Sequence, residues 1–568
     1  MTRRTLILSG AAAAGAQSRE ALYLSNLDRC QPASALSRKP RRGHWRMLDY
    51  EAEGIKGVML VAGQNTGAPE IRYAPAVTGR HEIWFGLRSY SGVDQSQLDV
   101  RLSGDKAFTR VIHRGEDRGR LDEYYWKTAD LAGQEIVFRQ RRRQLVPGDP
   151  ESVANPCAGA WLAYIKLVPA GGTAERHEKR LYAHHDAWSY TYEFRPTTVE
   201  EIRSELEPFR DTDFSRIYWE GGMGDRMYLP TRTGVPATDH WIEDPYRVGD
   251  RLAAETWQAW KRAGIDPFRT ALEHARSMGL EFHATYRPAG FHFPVPEDEW
   301  NTGGLYDRHP EWRGRDKQGR VTPRLSYAYP EVRKAALGFI GEMLAYPVDG
   351  VCIAYNRRPP LVEYEPPVVE AFRKKTGLDA TKLDDRDPRW LRSRAEVLTA
   401  FMRELRAVAG AKPVTAIVMR NEAENLYFGM DLEAWIREGL VDTIVPYTSA
   451  ERLLSTADSW ENPADLDFFV RITRGTKCEL APNMMPRVMP PETYLRRANG
   501  IYRLGVDRLF FWDTNARYDF SPSWSILRRL GHKEEVRAWA RSGSRAVARP
   551  GRKLLKLGDW DLTYATPG

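Results

Sequence analysis

The spacing of hydrophobic residues in this chain changes near residue 180. From about Trp45 to Pro169 the apolar positions come in short runs parted by turn residues: GVMLVAG, HEIWFGLRSY, SQLDVRL, TRVIH, QEIVFRQ and AWLAYIKLV. In the last run Trp161, Ala163, Ile165 and Leu167 alternate with Leu162, Tyr164, Lys166 and Val168. Short strand-like runs with no helical periodicity between them predict an antiparallel β-sandwich, placed at residues 45–172.

Beyond Arg180, apolar strands alternate with amphipathic helices, and eight repeats can be counted. Their strands are YAHHDAWS, SRIYWEGG, EFHATYRP, DGVCIAYN, PVTAIVMRN, DTIVPYTS, CELAPNMM and DRLFFWDT. Behind the first, Thr198 and Glu201 form a capping box, and Val199, Ile202, Leu206 and Phe209 share one helical face. Behind the fourth, Leu391, Ala395, Leu398, Met402 and Leu405 step by fours and threes. Eight strand–helix repeats predict an α/β fold, a (β/α)8 TIM barrel over residues 178–545. An open doubly wound sheet would also alternate, but no Gly-rich phosphate turn follows any strand. Helix-to-strand connections are short. Those from strand to helix after strands two, three and four run to roughly thirty to forty residues, against the usual 2–6. That length is spent at the C-terminal mouth, where barrel enzymes hold their active sites.

The termini add three segments. Residues 1–17 read MTRRTLILSGAAAAGAQ, with Arg3 and Arg4 ahead of a short apolar stretch and a small-residue cleavage site at Ala14-Gly15-Ala16. This is a signal-peptide pattern of twin-arginine type and predicts an exported, periplasmic or extracellular protein. Residues 18–44 are expected to be an N-terminal linker segment, and residues 546–568 a β extension that could return to the sandwich or cover the barrel base.

Composition narrows the function. With 568 residues, 42% of them hydrophobic, the chain can bury more than one core. No apolar run is long enough to span a membrane. The net charge of +8 is dispersed apart from Arg141-Arg142-Arg143, a run short enough to be a solvated turn, so nucleic acid is not an expected partner. Four cysteines are too few for a disulfide scaffold. Cys352 and Cys478 fall in apolar strands as expected buried thiols, and whether Cys30 and Cys157 pair stays open.

The strand ends of the mouth carry carboxylates, aromatics, Arg and Asn. Aromatic faces stack on sugars, and amides and guanidinium groups hydrogen-bond hydroxyls, so a carbohydrate substrate is expected. Glycosidic cleavage needs two carboxyl groups, about 5–5.5 Å apart for retention or about 6.5–9.5 Å for inversion. The catalytic candidates are Asp186, Glu220, Glu422, Glu424 and Asp513, with pairs across the mouth such as Glu424 with Glu220 or Asp513. Against a catalytic role stand salt bridges such as Asp513–Arg517 and Glu422–Arg420. The substrate-binding candidates are His185, Trp219, Tyr286, Arg287, His292, Tyr355, Asn356, Arg357, Asn425, Trp512 and Arg517. His184 and His185 read as orienting or core histidines, and no metal or cofactor is expected.

The fourth repeat, VDGVCIAYNRRPPLVEYEPPVVEAFRKKTG, together with GLVDTIVPYTS and LFFWDT, resembles the glycoside-hydrolase-like barrel proteins of exported bacterial type. The resemblance covers about residues 180–545 and implies a glycosidase with a sandwich in front. In the better-known retaining barrel clan the acid/base ends strand four and the nucleophile ends strand seven. This chain has Asn356 and Asn483 there, so the resemblance moves the carboxylates to strands two, five or eight, or to loop residues Glu363 and Glu365. Two rival readings are kept. One is a non-catalytic carbohydrate-binding barrel. The other is a metal-dependent hydrolase of amidohydrolase type, suggested by His184, Asp186 and Asp513 and weakened by the lack of histidines ending strands five and six.

Overall fold

The computed structural model describes residues 20–64, 66–88, 96–113, 119–142, 157–170, 178–237, 248–289, 303–357, 359–447, 460–517, 521–542 and 551–564. The expected signal peptide and His292 lie outside these residues.

The front of the chain forms two sheets, antiparallel but for the short parallel pairing of Leu36–Ser37 with Trp45–Ala52. In the larger, strands Trp45–Ala52, Ile55–Ala62, Ala160–Pro169, Arg80–Arg88 and Arg120–Asp130 follow one another in that spatial order. In the smaller the order is Ile71–Tyr73, Ile136–Gln140, Ser96–Leu102 and Thr109–His113. Both sheets send side chains into one core: Leu60, Phe85 and Leu87 from the larger meet Ile71, Val100 and Phe138 from the smaller. This is the two-layer arrangement that the period-two pattern calls for.

One segment differs from its expected role, and another settles between two alternatives. Leu22–Leu24, expected in a linker, pairs along Ala160–Pro169 as an added strand. The C-terminal strand Gly551–Leu557 pairs with Arg120–Asp130 through its first half and with Trp45–Ala52 through its second, which answers where the extension goes. Cys352 and Cys478 are buried thiols, and Cys30 and Cys157 are not joined.

All eight repeat strands form. Strand one, Leu181–His185, pairs in parallel with strand two, Phe214–Met223, and with strand eight, Leu509–Phe511. From strand two the parallel pairing continues through Glu281–Arg287, Gly350–Ala354, Val414–Val418, Thr443–Pro446 and Glu479–Leu480. A parallel bridge between Asn483 and Phe510 joins strand seven to strand eight. The pairings thus run once around all eight strands.

Alternation along the strands separates two cores. Tyr182, Tyr218, Cys352, Ile417, Val445, Phe510 and Trp512 form a cluster inside the ring. Their strand neighbours Ala183, Ile217, Val351, Ala416, Ile444 and Phe511 belong to the larger cluster under the helices. The capping box of Thr198 and Glu201 is present, and helices Pro267–Ser277, Pro330–Leu344 and Pro388–Ala409 follow strands two, three and four. The long loops hold structure of their own: helix Val248–Ala263, the hairpin of Arg313–Arg315 with Val321–Leu325, and helix Pro366–Thr376.

Inside the ring Gly350 faces the buried imidazole of His283, and a Cβ at 350 would collide with that ring. Gly350→Ala is expected to cost about 1–3 kcal/mol, the usual penalty for overpacking a filled core. Urea denaturation checks this; an unchanged midpoint would contradict the packing described.

The front sheets and the ring are tied by polar contacts, buried at Arg110 and Arg528 and partly exposed at Arg139. Arg110 of the smaller sheet pairs with Glu205, behind strand one. Arg528 donates to the carbonyl of Trp126 at 3.2 Å, and Arg139 lies 3.4 Å from Glu200.

Candidate active site

Strand one ends in two histidines that point to opposite sides, as period two requires. His184 turns into the ring and stacks on Trp512, with centroids 3.7 Å apart. Its Nε2 lies 3.2 Å from Glu220 Oε1 and its Nδ1 3.4 Å from Asp513 Oδ1, so one imidazole links the ends of strands two and eight. Burial pulls the His184 pKa down, but the contacts with Asp513 and Glu220 outweigh it and hold the pKa above its ordinary value.

The chain then turns sharply. Ala187 has φ 50°, a left-handed conformation uncommon for alanine, and its N–H donates to Nδ1 of His185 at 3.0 Å. The turn leaves Asp186 accepting the N–H groups of Trp188 at 3.3 Å and Ser189 at 3.1 Å, together with the Ser189 hydroxyl. Asp186 is raised above the usual carboxylate range by burial first, then by the charges of Asp513 and Glu220. Asp513 is also left-handed, with φ 43°, which breaks the alternation after Trp512 and brings its carboxylate back to His184. Burial would raise Asp513, yet Arg487, His184 and Arg287 together hold it well below the carboxylate range. Arg487 pairs with it directly, and Arg287, from the end of strand three, pairs with Glu220.

Among the described residues several buried polar atoms around this group have no hydrogen-bond partner. They include both amide atoms of Asn356, Nδ2 of Asn483, Oγ1 of Thr285, Nε1 of Trp512 and Oε2 of Glu220. Orphaned polar atoms are rare in interiors, and several on neighbouring strand ends mark a surface built to meet polar groups.

The sequence candidates therefore divide. Asp186, Glu220 and Asp513 lie close enough to shift one another's environment, and Arg287, Asn356, Arg357 and Trp512 stand with them. His185, Trp219, Tyr286 and Tyr355 occupy the other row and face the helices. His185 stacks on Trp219 at 4.1 Å and bonds Glu205 at 3.1 Å, and burial holds it neutral, well below its ordinary pKa. The hydroxyl of Tyr286 donates to the Gly224 carbonyl at 2.9 Å, and that of Tyr355 meets Met402 Sδ at 3.1 Å. Arg517 binds the carbonyls of Met484, Trp512 and Arg487 and the Tyr494 hydroxyl, as an internal clamp.

Glu422 is exposed and Glu424 half-buried in the first turn of helix Glu422–Tyr427, capped by Asn421. Asn425 spends its amide on Met419 and the Asn421 carbonyl. The expected salt bridges also change partners, Asp513 to Arg487 and Arg420 to Asp465 at 3.7 Å. Glu365 is buried at the head of Pro366–Thr376 and accepts the N–H groups of Glu363 and Arg315. Sequence reasoning missed Arg487, which lies in the loop after strand seven with only its charge to recommend it. Among the described residues no group of three or more His, Cys, Asp or Glu side chains is arranged to hold a metal ion. No described helix is long and apolar enough to cross a membrane.

Residues 244–478 match the sequence model of the family described as glycosyl hydrolase-like 10. No curated protein sequence is matched. Among solved structures, α-L-fucosidase isoenzyme 2 from Paenibacillus thiaminolyticus is 13% identical, with 64% of this chain and 50% of that one covered and a TM-score of 0.41. This chain thus spans half the length of the fucosidase. An α-galactosidase from Thermus thermophilus, solved with p-nitrophenyl α-D-galactopyranoside, is 13% identical over 87% of this chain and 94% of that one, with a TM-score of 0.32. The family match takes in Arg287, Asn356 and Arg357 but leaves out Asp186, Glu220 and Asp513. Over residues 244–478 the chain is glycoside-hydrolase-like, in agreement with the resemblance carried by its fourth repeat.

Proposed function

We propose that the chain is a glycoside hydrolase built on a (β/α)8 barrel, with Asp186 as general acid and Asp513 as nucleophile or general base. The observation that carries this reading is the meeting of Asp186, Glu220 and Asp513 on three adjacent strand ends, around His184. Two carboxyl groups whose surroundings push their pKa values apart can divide the work, one donating a proton and one staying ionised. Asp186 is pushed up and Asp513 down. In this reading Glu220, paired with Arg287, holds the imidazole of His184 against Asp513. Activity on a panel of aryl glycosides and oligosaccharides tests the reading, compared with Asp186→Asn and Asp513→Asn.

The direction of the pH dependence follows. A general acid must carry its proton, and the protonated fraction of Asp186 is lost as pH rises through its raised pKa. The basic limb of kcat/KM is therefore expected above the ordinary carboxylate range. Asp513 stays ionised well below that range, so the acidic limb falls at low pH. Asp186→Asn is expected to abolish the basic limb on substrates whose leaving group needs no proton. A profile whose basic limb is unchanged in that variant would assign the acid elsewhere.

One observation favours the second reading, a non-catalytic sugar-binding barrel: Glu220 and Asp513 each already have an arginine partner. Sugar binding without turnover, unchanged in the Asp186 and Asp513 variants, would establish that reading instead.

A further inference from the structure

Three arginines surround the carboxylates, and they are not equivalent. Arg287 pairs with Glu220 and Arg487 with Asp513. Arg357 follows strand four, half-buried, with its Cζ 5.8 Å from the centroid of the Trp512 ring. Among the described residues neither a carboxylate nor a carbonyl takes its N–H groups, and the charges of Asp513 and Glu220 reach it only through space. Arg287 lies over the same indole at 5.3 Å, so two guanidinium groups share one ring and repel each other. Burial first, and then the charge of Arg287, press the Arg357 pKa down. Next to it in sequence Asn356 is 1% exposed, and among the described residues neither its amide nitrogen nor its amide oxygen is bonded.

A half-buried cation without a counterion is costly, and its five donors match the geometry of a carboxylate or sulfate. The two anions nearest to it are already neutralised by the other arginines and by His184. An unpaired Arg beside an unbonded Asn, over a tryptophan face, is a ready receptor for an acidic sugar.

We infer that the mouth selects an anionic glycan, with Arg357 and Asn356 receiving the carboxylate of a uronic acid or a sulfate ester on the sugar ring. The inference rests on the reading that the mouth takes sugar, and it goes beyond that reading by naming the charge of the substrate.

Calorimetric titration of the full chain tests it with three probes: a hexuronate trisaccharide, a sulfated hexose trisaccharide and the neutral parent, in the gluco and galacto series. At least one anionic probe is expected to bind about tenfold more tightly than the neutral one, the scale of a charge-assisted hydrogen bond. The advantage should vanish in Arg357→Gln and survive in part in Arg357→Lys, with both variants checked for folding by circular dichroism. Preference for the uronate alone assigns a carboxylate and preference for the sulfated probe alone assigns a sulfate, while preference for both assigns charge recognition. Equal binding of all three, or an advantage that persists in Arg357→Gln, overturns the inference. Hydrolysis is scored separately. Turnover of neutral glycans with no anion preference sinks this inference and leaves the glycosidase reading intact; anion selection by Arg357 with no turnover does the reverse.

Discussion

Asp513→Asn is expected to lower kcat at least about a thousandfold while leaving the fold in place, since losing a nucleophile or base costs that much or more. The amide keeps the shape of the side chain but removes the anion toward which His184 and Arg487 are drawn. His184 should then lose part of the support that keeps its pKa high, because Asp513 is one of the two carboxylates sustaining it. Two readouts follow: kcat on an aryl glycoside, and titration of the His184 ring by NMR, whose midpoint should move down. A variant that retains a tenth or more of the wild-type kcat would show that Asp513 only orders the mouth.

The second large effect is on stability. Glu205 is buried between Arg110 from the front sheet and His185 at the end of strand one. Removing one partner of such a pair strands the other charge in a low-dielectric setting. Glu205→Ala is therefore expected to destabilise the chain by about 3–5 kcal/mol in urea denaturation. Glu205→Gln, which can still accept from His185, should cost less. The damage should also reach the mouth, because His185 holds the Ala187 N–H and so shapes the turn that presents Asp186. A loss below about 1 kcal/mol, within the range of surface pairs, would mean that the front sheet is not anchored through this contact.

The eight repeats were legible because each strand is a short run rich in apolar and aromatic residues and each helix keeps its own period. The strands Trp45–Ala52 and Arg120–Asp130 are less legible, since charged residues interrupt their alternation. At the mouth, composition drew attention to the strand ends, but pairs of adjacent polar or aromatic residues hid which one pointed inward. Counting by twos from Tyr218 selects Glu220 and rejects Trp219, and counting from His283 selects Arg287 and rejects Tyr286. The same count from Phe510 selects Trp512 and would reject Asp513. Only the left-handed backbone at 513 restores it, a conformation that aspartate tolerates but that no spacing rule announces. Glu424, expected to partner Glu220 or Asp513 across the mouth, sits in the first turn of a helix that Asn421 starts at once after strand five.

The strand Gly551–Leu557 has a consequence for how the molecule comes into being. It fills the gap between Arg120–Asp130 and Trp45–Ala52. On the ribosome those two strands must wait, hydrogen-bonding edges bare, until the whole ring has been synthesised behind them. Bare edges pair with whatever strand arrives first. The vulnerable moment for this chain therefore comes once strand eight has been made, when the ring can already close and the front sheet still lacks Gly551–Leu557.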